Sequence, residues 1–321
     1  MAETDDDAGV DPAFRSDVLA GLKGRPRAIR ARWLYDLKGS KLFEEITDLP
    51  EYYPTRTERG ILERYAREVG EEIGAGRAVI EFGSGSSLKT PLLLRAIAPA
   101  AYVPIDISGE FLRQSIEALS EDFPDLPVYP VEADFTHRVP LPDAVADMPK
   151  LGFFPGSTIG NFIPPSAVDF LREMKETLET GAMLLIGMDR VKGVDVLVPA
   201  YDDAAGVTAA FNLNLIDRIN RELGGTMPRD AFEHCVVWND KLARVEMHIK
   251  ARRDVTFEVA GESFAMARDE TIHTENSHKY GPRDARILLR AGGWTMVREW
   301  TDEADQFALI LAEAQPERTA P

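Results

Sequence analysis

The sequence predicts an α/β protein, a doubly wound sheet interrupted by a unit of different character, and three observations carry that expectation. From Thr57 to Asp189 short apolar runs alternate with helical periodicity, the βαβα signature of a mostly parallel sheet. One of those runs, Ala182–Met188, is almost continuously apolar, as a strand buried on both faces must be. After Asp189 the alternation stops, and a long helical stretch gives way to period-two segments.

The elements follow in order. The N-terminus carries Glu3, Asp5, Asp6 and Asp7 with almost nothing apolar to bury, so residues 1–12 are expected as a disordered tail. From Phe14 to Pro54 short helical patches mix with aromatics, among them Trp33, Tyr35, Phe43, Tyr52 and Tyr53. Ile61, Leu62, Tyr65, Val69 and Ile73 recur at helical spacing, and Gly74 with Gly76 stop that helix. Ala78–Phe82 is a strand running into the turn Gly83-Ser84-Gly85. Lys89–Ile97 reads as helix and Tyr102–Ile105 as strand. Ser108 is placed to cap a helix carrying Phe111, Ile116 and Leu119. Val128–Val131 and Leu151–Phe154 read as further strands. Ser166 opens a helix that turns Val168, Phe170, Leu171, Met174 and Leu178 inward and closes at Gly181.

Leu197 to Leu223 then reads as one long helical stretch. Cys235–Trp238 and Arg244–Lys250 flank a turn containing Asn239-Asp240, and Val255–Val259 follows. Pro282–Ala291 returns to helix. Trp294–Trp300 and Phe307–Leu311 would add an antiparallel pair that completes the first sheet.

With 321 residues, 44% of them hydrophobic, the chain has material for about two domains. Lys+Arg 37 against Asp+Glu 54 leaves a net charge of −17. That balance argues against a nucleic-acid partner, because neutralising a phosphate backbone takes a basic stripe. The single cysteine, Cys235, excludes an intrachain disulfide. The N-terminus lacks the basic start and apolar stretch of a signal peptide, and no apolar run approaches the length of a membrane span. A soluble, cytoplasmic monomer is expected, with a small-molecule partner and neither nucleic acid nor membrane.

The strand ending in Gly83-Ser84-Gly85 is the first chemical signal. A G-x-G turn lets backbone approach a nucleotide where a Cβ would collide. The dinucleotide fingerprint wants a third glycine at position 88, which is Leu, and no G-x-x-x-x-G-K-[ST] exists for a P-loop. A nucleoside cofactor without a diphosphate suits the turn better, namely S-adenosylmethionine. Asp106, at the end of the second strand, is placed to accept from ribose hydroxyls, and Asp134-Phe135 ends the next strand within reach of an adenine. These points fall at the carboxyl ends of successive strands, where open α/β sheets bind ligands. Taken singly, each also fits a plain turn or a helix cap.

Longer strings narrow the reading: Leu49-Pro-Glu-Tyr-Tyr-Pro-Thr-Arg-Thr-Glu58, Glu81-Phe-Gly-Ser-Gly-Ser-Ser-Leu-Lys-Thr90, Gly156-Ser-Thr-Ile-Gly-Asn161, Ala200-Tyr-Asp-Asp-Ala-Ala-Gly206 and Thr274-Glu-Asn-Ser277. With Trp238-Asn239 and Arg244-Val-Glu-Met247, the chain from about Trp33 onward resembles the histidine-specific Nα-methyltransferases of ergothioneine biosynthesis. The resemblance implies a Rossmann-like S-adenosylmethionine-dependent methyltransferase domain, residues 57–190 plus 282–321. It also implies a discontinuous α+β substrate-binding domain, residues 13–56 plus 191–281. The cofactor contacts would fall on Gly83, Gly85, Lys89, Asp106, Asp134 and Phe135. The substrate's ammonium and carboxylate would fall to Tyr52, Asn161 and Tyr201, and its imidazole to Glu275 and Ser277. Tyr35, Phe43, Thr208, Phe211 and Met247 match positions lining that pocket, and Tyr35 and Tyr52 are the candidate catalytic residues. The implied reaction is Nα-methylation of L-histidine, three times, to the betaine hercynine. The alternatives are another free amino acid or amine as substrate, or a silent cofactor-binding regulator.

The residues suit that chemistry. Methyl transfer to an amine is an in-line displacement at a sulfonium, and positioning alone can supply on the order of 7–11 kcal/mol. An amide N–H from Asn161 and a phenol O–H from Tyr201 can hold a carboxylate without placing a cation beside the sulfonium. An aromatic face on Tyr52 tolerates successively methylated ammonium states. The proton leaving the amine goes to a tyrosine hydroxyl, a carboxylate or water, and water is the expected acceptor. The loop before Glu275, Thr271-Ile-His-Thr, departs from the family pattern and adds His273 near the substrate. The five histidines show no zinc-type spacing with Cys235 or one another, so no metal is expected, and Asp202-Asp203 reads as a solvated pair.

Overall fold

The computed structural model describes residues 11–85 and 89–316. The first ten positions of the expected tail, Ser86, Ser87 and Leu88 of the glycine turn, and the Phe111 side chain lie outside the described residues. The chain divides into two compact units. One comprises Met1–Glu51, Val194–Asn239 and Val245–Asn276, the other Tyr52–Gly193, Asp240–Arg244 and Ser277–Pro321. In chain order the described strands are β1 (Arg27–Ala28), β2 (Ala78–Phe82), β3 (Ala101–Asp106), β4 (Val131–Glu132), β5 (Lys150–Phe154), β6 (Met183–Asp189), β7 (Phe232–Asn239), β8 (Arg244–Ala251), β9 (Val255–Val259), β10 (Glu262–Met266), β11 (Thr271–His278), β12 (Trp294–Thr301) and β13 (Phe307–Ala314).

The larger unit is Rossmann-like. Its sheet runs β12-β13-β6-β5-β2-β3-β4, with β2 parallel to both β3 and β5, and β5 parallel to β6. β13 lies antiparallel to β6 and to β12, so the final pair completes the sheet as the sequence predicts. Successive residues of one strand feed opposite cores. Ile80, Leu184, Ile186 and Ile310 enter one cluster, and Val79, Leu185, Leu309 and Leu311 the other. Two-sided burial is why these strands read as continuous apolar runs.

β4 is shorter than the predicted Val128–Val131. Pro127 and Pro130 have no N–H for a ladder, so Val128 makes one isolated bridge to Tyr102 and regular pairing with β3 starts at Val131. Helices Tyr53–Ile73 and Pro164–Leu178 begin earlier than their periodicity suggests, each with a proline in the first turn, where no intrahelical N–H is lost. Ser108 occupies the N-cap of helix Gly109–Asp122, but its side chain makes no capping bond.

In the smaller unit a four-stranded sheet runs β1-β11-β8-β7, and β9 pairs antiparallel with β10. Pro12–Lys23 is a helix whose Asp11 cap accepts from Ala13 N at 2.8 Å, so the last two positions of the expected tail, Asp11 and Pro12, are its cap and first residue. The single helix expected over Leu197–Leu223 is two, Val194–Leu197 and Val207–Glu222. Asp203 separates them. Its carboxylate accepts from Val207 N at 3.0 Å and Thr208 N at 2.7 Å, and Gly206 turns the chain at φ 77°. Asp203 is therefore a buried cap, not half of a solvated pair. β10 and β11 have no counterpart in the sequence reading.

Close approach between helices Tyr53–Ile73 and Thr90–Ile97 depends on one residue. A Cβ at Gly70 would stand 2.4 Å from the Ala96 carbonyl oxygen, which is backbone and cannot rotate away. Gly70→Ala should lower stability by about 1–3 kcal/mol despite its better helix propensity. A thermal melt at or above the parent Tm would contradict this packing account.

Candidate active site

At the carboxyl end of β2 the chain turns through Gly83 at φ 73° and Gly85 at φ 49°. The bare Cα of Gly83 is matched by an aromatic ring, since a Cβ there would stand 3.1 Å from Phe135 Cε1. Phe135 in turn packs on Phe154 and Phe170, with centroids 6.0 and 5.6 Å away. Gly85 N donates to Asp106 Oδ2 at 3.1 Å, and Ser108 N to Asp106 Oδ1 at 2.9 Å. Burial pushes the Asp106 carboxyl above its ordinary value, while those amides pull the other way. The structure thus brings Gly83 to Phe135 and Gly85 to Asp106. A carboxylate with one amide on each oxygen keeps acceptor capacity for two hydroxyls. Asp134 is a turn acid, its Oδ1 accepting from Thr136 N at 3.0 Å and Thr136 Oγ1 at 2.6 Å. Lys89 is ion-paired to Glu58, whose Oε2 also accepts from Gly156 N at 2.8 Å.

Gly156-Ser-Thr-Ile-Gly-Asn161 is pinned from several sides. Ser157, at φ 57°, accepts on Oγ from Asp189 N at 2.9 Å. His278 Nδ1 lies 2.9 Å from Gly160 O, and a Cβ on Gly160 would meet the His278 carbonyl oxygen at 2.8 Å. Tyr280 donates to Ile159 O at 3.3 Å. The short 3₁₀ turn that ends in Asn161 therefore has fixed backbone. Tyr52 is buried as the N-cap residue of helix Tyr53–Ile73.

Beside this turn lies a buried ionic cluster. Asp189 and the Lys279 side chain have no exposure, and Lys279 Nζ is 2.7 Å from Asp189 Oδ2 and 2.8 Å from Ser277 Oγ. Tyr53 donates to the same carboxylate at 2.6 Å, and Lys192 pairs with its other oxygen. Burial pushes the Lys192 ammonium down to about 8, against the pull of Asp189.

In the smaller unit, Tyr35, Phe43 and Phe211 form a ring cluster with centroids 5.3–6.0 Å apart. Tyr35 donates to Glu275 Oε1 at 3.3 Å. Glu275 is buried on β11, a strand and not the expected loop. Buried and half-buried positions alternate along β11 until Thr274 and Glu275, two buried residues in succession, after which Ser277 is buried and Asn276 half-buried. Thr274 Oγ1 donates to Asn212 Oδ1 at 2.7 Å and lies 3.0 Å from the Met247 carbonyl oxygen, tying β11 to β8 and to helix Val207–Glu222. Met247, Thr208 and Tyr201 are buried, and His234 Nε2 lies 2.8 Å from Tyr201 O.

One group among the described residues has the composition of a metal-binding set. Glu246, His248 and His273 have potential ligand atoms within 4.8 Å of one another. It is assembled from β8 and β11, so spacing along the chain does not reveal it. Within it His248 Nε2 lies 3.2 Å from Glu246 Oε2 and His273 Nε2 3.0 Å from Glu275 O, the two imidazoles stack at 4.7 Å, and His248 Nδ1 is buried without a hydrogen-bond partner.

Sequence reasoning missed Glu58, Asp189 and Lys279. Glu58 was readable, for it falls on the same helical stripe as Pro54, Ile61, Leu62 and Val69, where an acid has to be paired. Glu81 precedes the glycine turn, buried, accepting from Tyr102 O–H and from Thr90 Oγ1 at 2.8 Å. Burial pushes its carboxyl up to about 7 from an ordinary 4.5, against the pull of Tyr102, Thr90 and Lys89. The folded chain therefore keeps a proton there that the unfolded chain loses, so this group's contribution to stability falls as pH rises from about 4.5 to about 7 and is level above. Glu81→Gln should flatten Tm against pH across that window. An unchanged slope would show that Glu81 does not titrate there.

Comparison with known proteins agrees with this geometry. Residues 14–314 match the family described as histidine-specific methyltransferase, SAM-dependent. The histidine N-alpha-methyltransferase of Mycolicibacterium smegmatis is 40% identical over 94% of both chains, and that of Mycobacterium tuberculosis 38% identical over 94% of both. An L-tryptophan methyltransferase of Psilocybe serbica is 28% identical over 95% of this chain and 94% of its own. With its Rossmann-like sheet, its glycine turn beside Asp106 and this match over nearly its whole length, the chain belongs to the S-adenosylmethionine-dependent, histidine-specific methyltransferases.

Proposed function

We propose that this protein transfers methyl groups from S-adenosylmethionine to the α-amine of free L-histidine, three times, giving hercynine. The observation that carries the histidine reading is the buried Glu275 carboxylate, set against Tyr35 in a cluster of aromatic rings. Imidazole offers one ring N–H and one ring acceptor, which Glu275 and Ser277 would meet respectively. Indole offers the N–H alone, and phenyl neither. A site with buried polar groups rejects a ligand that leaves them unpaired, by roughly 10⁴–10⁵ in favourable cases.

Residues 57–190 and 282–321 would form the methyltransferase domain, and 13–56 with 191–281 the substrate-binding domain. S-adenosylmethionine supplies an activated sulfonium methyl, so the transfer itself calls for no metal. Gly83 and Gly85 would admit the cofactor close to backbone, Asp106 would accept from its ribose, and Asp134 and Phe135 would face its adenine. Lys89, held by Glu58, would add positive charge for its carboxylate without being free to swing. Asn161 and Tyr201 would donate to the substrate carboxylate. Tyr52 would present its ring and hydroxyl to the amine, with Tyr35 and water left to relay the departing proton. Phe43, Thr208, Phe211 and Met247 would shape the ring pocket. Both substrates are small and water-soluble, and no described helix is long and apolar enough to cross a membrane. We read the protein as a cytoplasmic monomer.

Incubation with S-adenosylmethionine and a panel of amino acids, followed by mass spectrometry, should show one, two and three added methyl groups on histidine. Gain on tryptophan or tyrosine but not on histidine would overturn the substrate. No gain on any member while cofactor still binds would favour a silent regulator. Glu275→Ala should raise the KM for histidine roughly ten- to a hundredfold, the loss of one charge-assisted hydrogen bond, with little effect on cofactor affinity. Equal loss of both would contradict its assigned role.

A further inference from the structure

Methyl transfer assigns no part to Glu246, His248 and His273, and all three lie in the smaller unit. Glu246 and His248 are two residues apart on β8, so their side chains leave the same face of the strand. His273 comes from β11, the neighbouring strand of the same sheet. One potential ligand atom from each stands within 4.8 Å of the other two. The Glu246 and His248 side chains are only 12% and 14% exposed, so the group is set into the molecule and not spread over its surface.

Two of the three are oriented from outside the group. Glu246 Oε1 accepts from Asn239 Nδ2 at 2.9 Å, which aims Oε2 toward His248. His273 Nε2 lies 3.0 Å from the Glu275 carbonyl, which can only accept, so in the neutral ring Nε2 carries the proton and Nδ1 is the nitrogen able to ligate. Outer partners of this kind hold ligating carboxylates and imidazoles in place. His248 is the adjustable member. Its Nε2 stands 3.2 Å from Glu246 Oε2, long for a charge-assisted bond, which closes to about 2.7–2.9 Å. Its Nδ1 is buried with no hydrogen-bond partner at all. A cation takes its lone pairs in the ring planes, whereas the two imidazoles stack with planes 20° apart, so one ring has to turn. His248 can do so about Cβ–Cγ, a broad torsion, at the cost of one long hydrogen bond.

We propose that Glu246, His248 and His273 form a binding site for a divalent transition-metal ion of the zinc type. Two imidazoles and one carboxylate suit Zn²⁺ and its neighbours, whereas Mg²⁺ and Ca²⁺ take oxygen ligands. Three protein ligands leave a fourth position to water, so the ion exchanges with solvent and is not locked in. It would join β8 to β11, the strands that carry Met247 and Glu275. Each metal bond replaces a proton or a hydrogen bond, so the folded chain does not depend on the ion. The ion takes no part in methyl transfer, and the site stands whichever amine is methylated.

The probe is Zn²⁺ alone, titrated by calorimetry into the untagged, metal-stripped full chain. One ion per chain should bind, and it should raise Tm as any ligand of the folded state does. His248→Gln and His273→Gln should each weaken binding by about a hundredfold, and Asn239→Ala, which removes only the support behind Glu246, by roughly tenfold. Cys235→Ser should leave the affinity unchanged. With Co²⁺ in place of Zn²⁺, the absorption spectrum should lack a thiolate-to-metal charge-transfer band. No saturable binding, or binding that survives both histidine variants, would overturn the proposal. A thiolate band would place the ion at Cys235 and overturn it too. Where a histidine variant fails to fold, Glu246→Gln is judged by the same titration, and an affinity equal to the parent's would count against the site.

Discussion

Much of the larger unit's ordering converges on one buried carboxylate. Asp189 ends β6, the apolar strand between β13 and β5, and each of its polar atoms is committed. Its N–H goes to Ser157 in the turn that carries Asn161, and its carbonyl accepts from Tyr280 N at 2.8 Å. Its side chain gathers Tyr53, Lys192 and Lys279. One residue therefore ties together the start of the helix that follows Tyr52, the Asn161 turn and the end of β11. A lone carboxylate in that place would be prohibitively costly to bury, so the four groups stand or fall as a set. Glu58 does the same on a smaller scale for Lys89 and Gly156.

The fold is legible wherever burial imposes a period. β2, β3, β5, β6 and β13 show as apolar runs because both faces of the sheet are covered there, while helix Pro282–Ala291 shows by the spacing of its buried Ala285, Leu288 and Leu289. The errors occur where polar atoms, not apolar ones, decide the path. Asp203 starts helix Val207–Glu222 through two backbone N–H groups, a local interaction that leaves no mark on hydrophobic periodicity. β11 reads as a loop because Thr-Ile-His-Thr-Glu-Asn-Ser-His is mostly polar. Its buried positions are nevertheless satisfied, Thr274 by Asn212 and Ser277 by Lys279.

Of the candidate site, the residues are legible and their support is not. The strings around Tyr52, Gly83, Asn161, Tyr201 and Glu275 can be read because they are contiguous. Asp189 and Lys279 lie 90 positions apart, and a buried ion pair across that distance has no signature in a single sequence. The polar group formed by Glu246, His248 and His273 escapes for a related reason, since two strands must come side by side before it exists.

The clamp made by Asn212 and Thr274 carries a further consequence. It grips the Met247 carbonyl and the His248 carbonyl, the latter accepting from Asn212 Nδ2 at 3.0 Å, and so fixes backbone without using the side chain of Met247 or Glu275. The scaffold and the lining are thereby separable. A lineage can exchange the residues that greet the aromatic ring while the strands behind them keep their register. Divergence in substrate choice within such a family then demands no invention of architecture, only re-upholstery of a frame already secured.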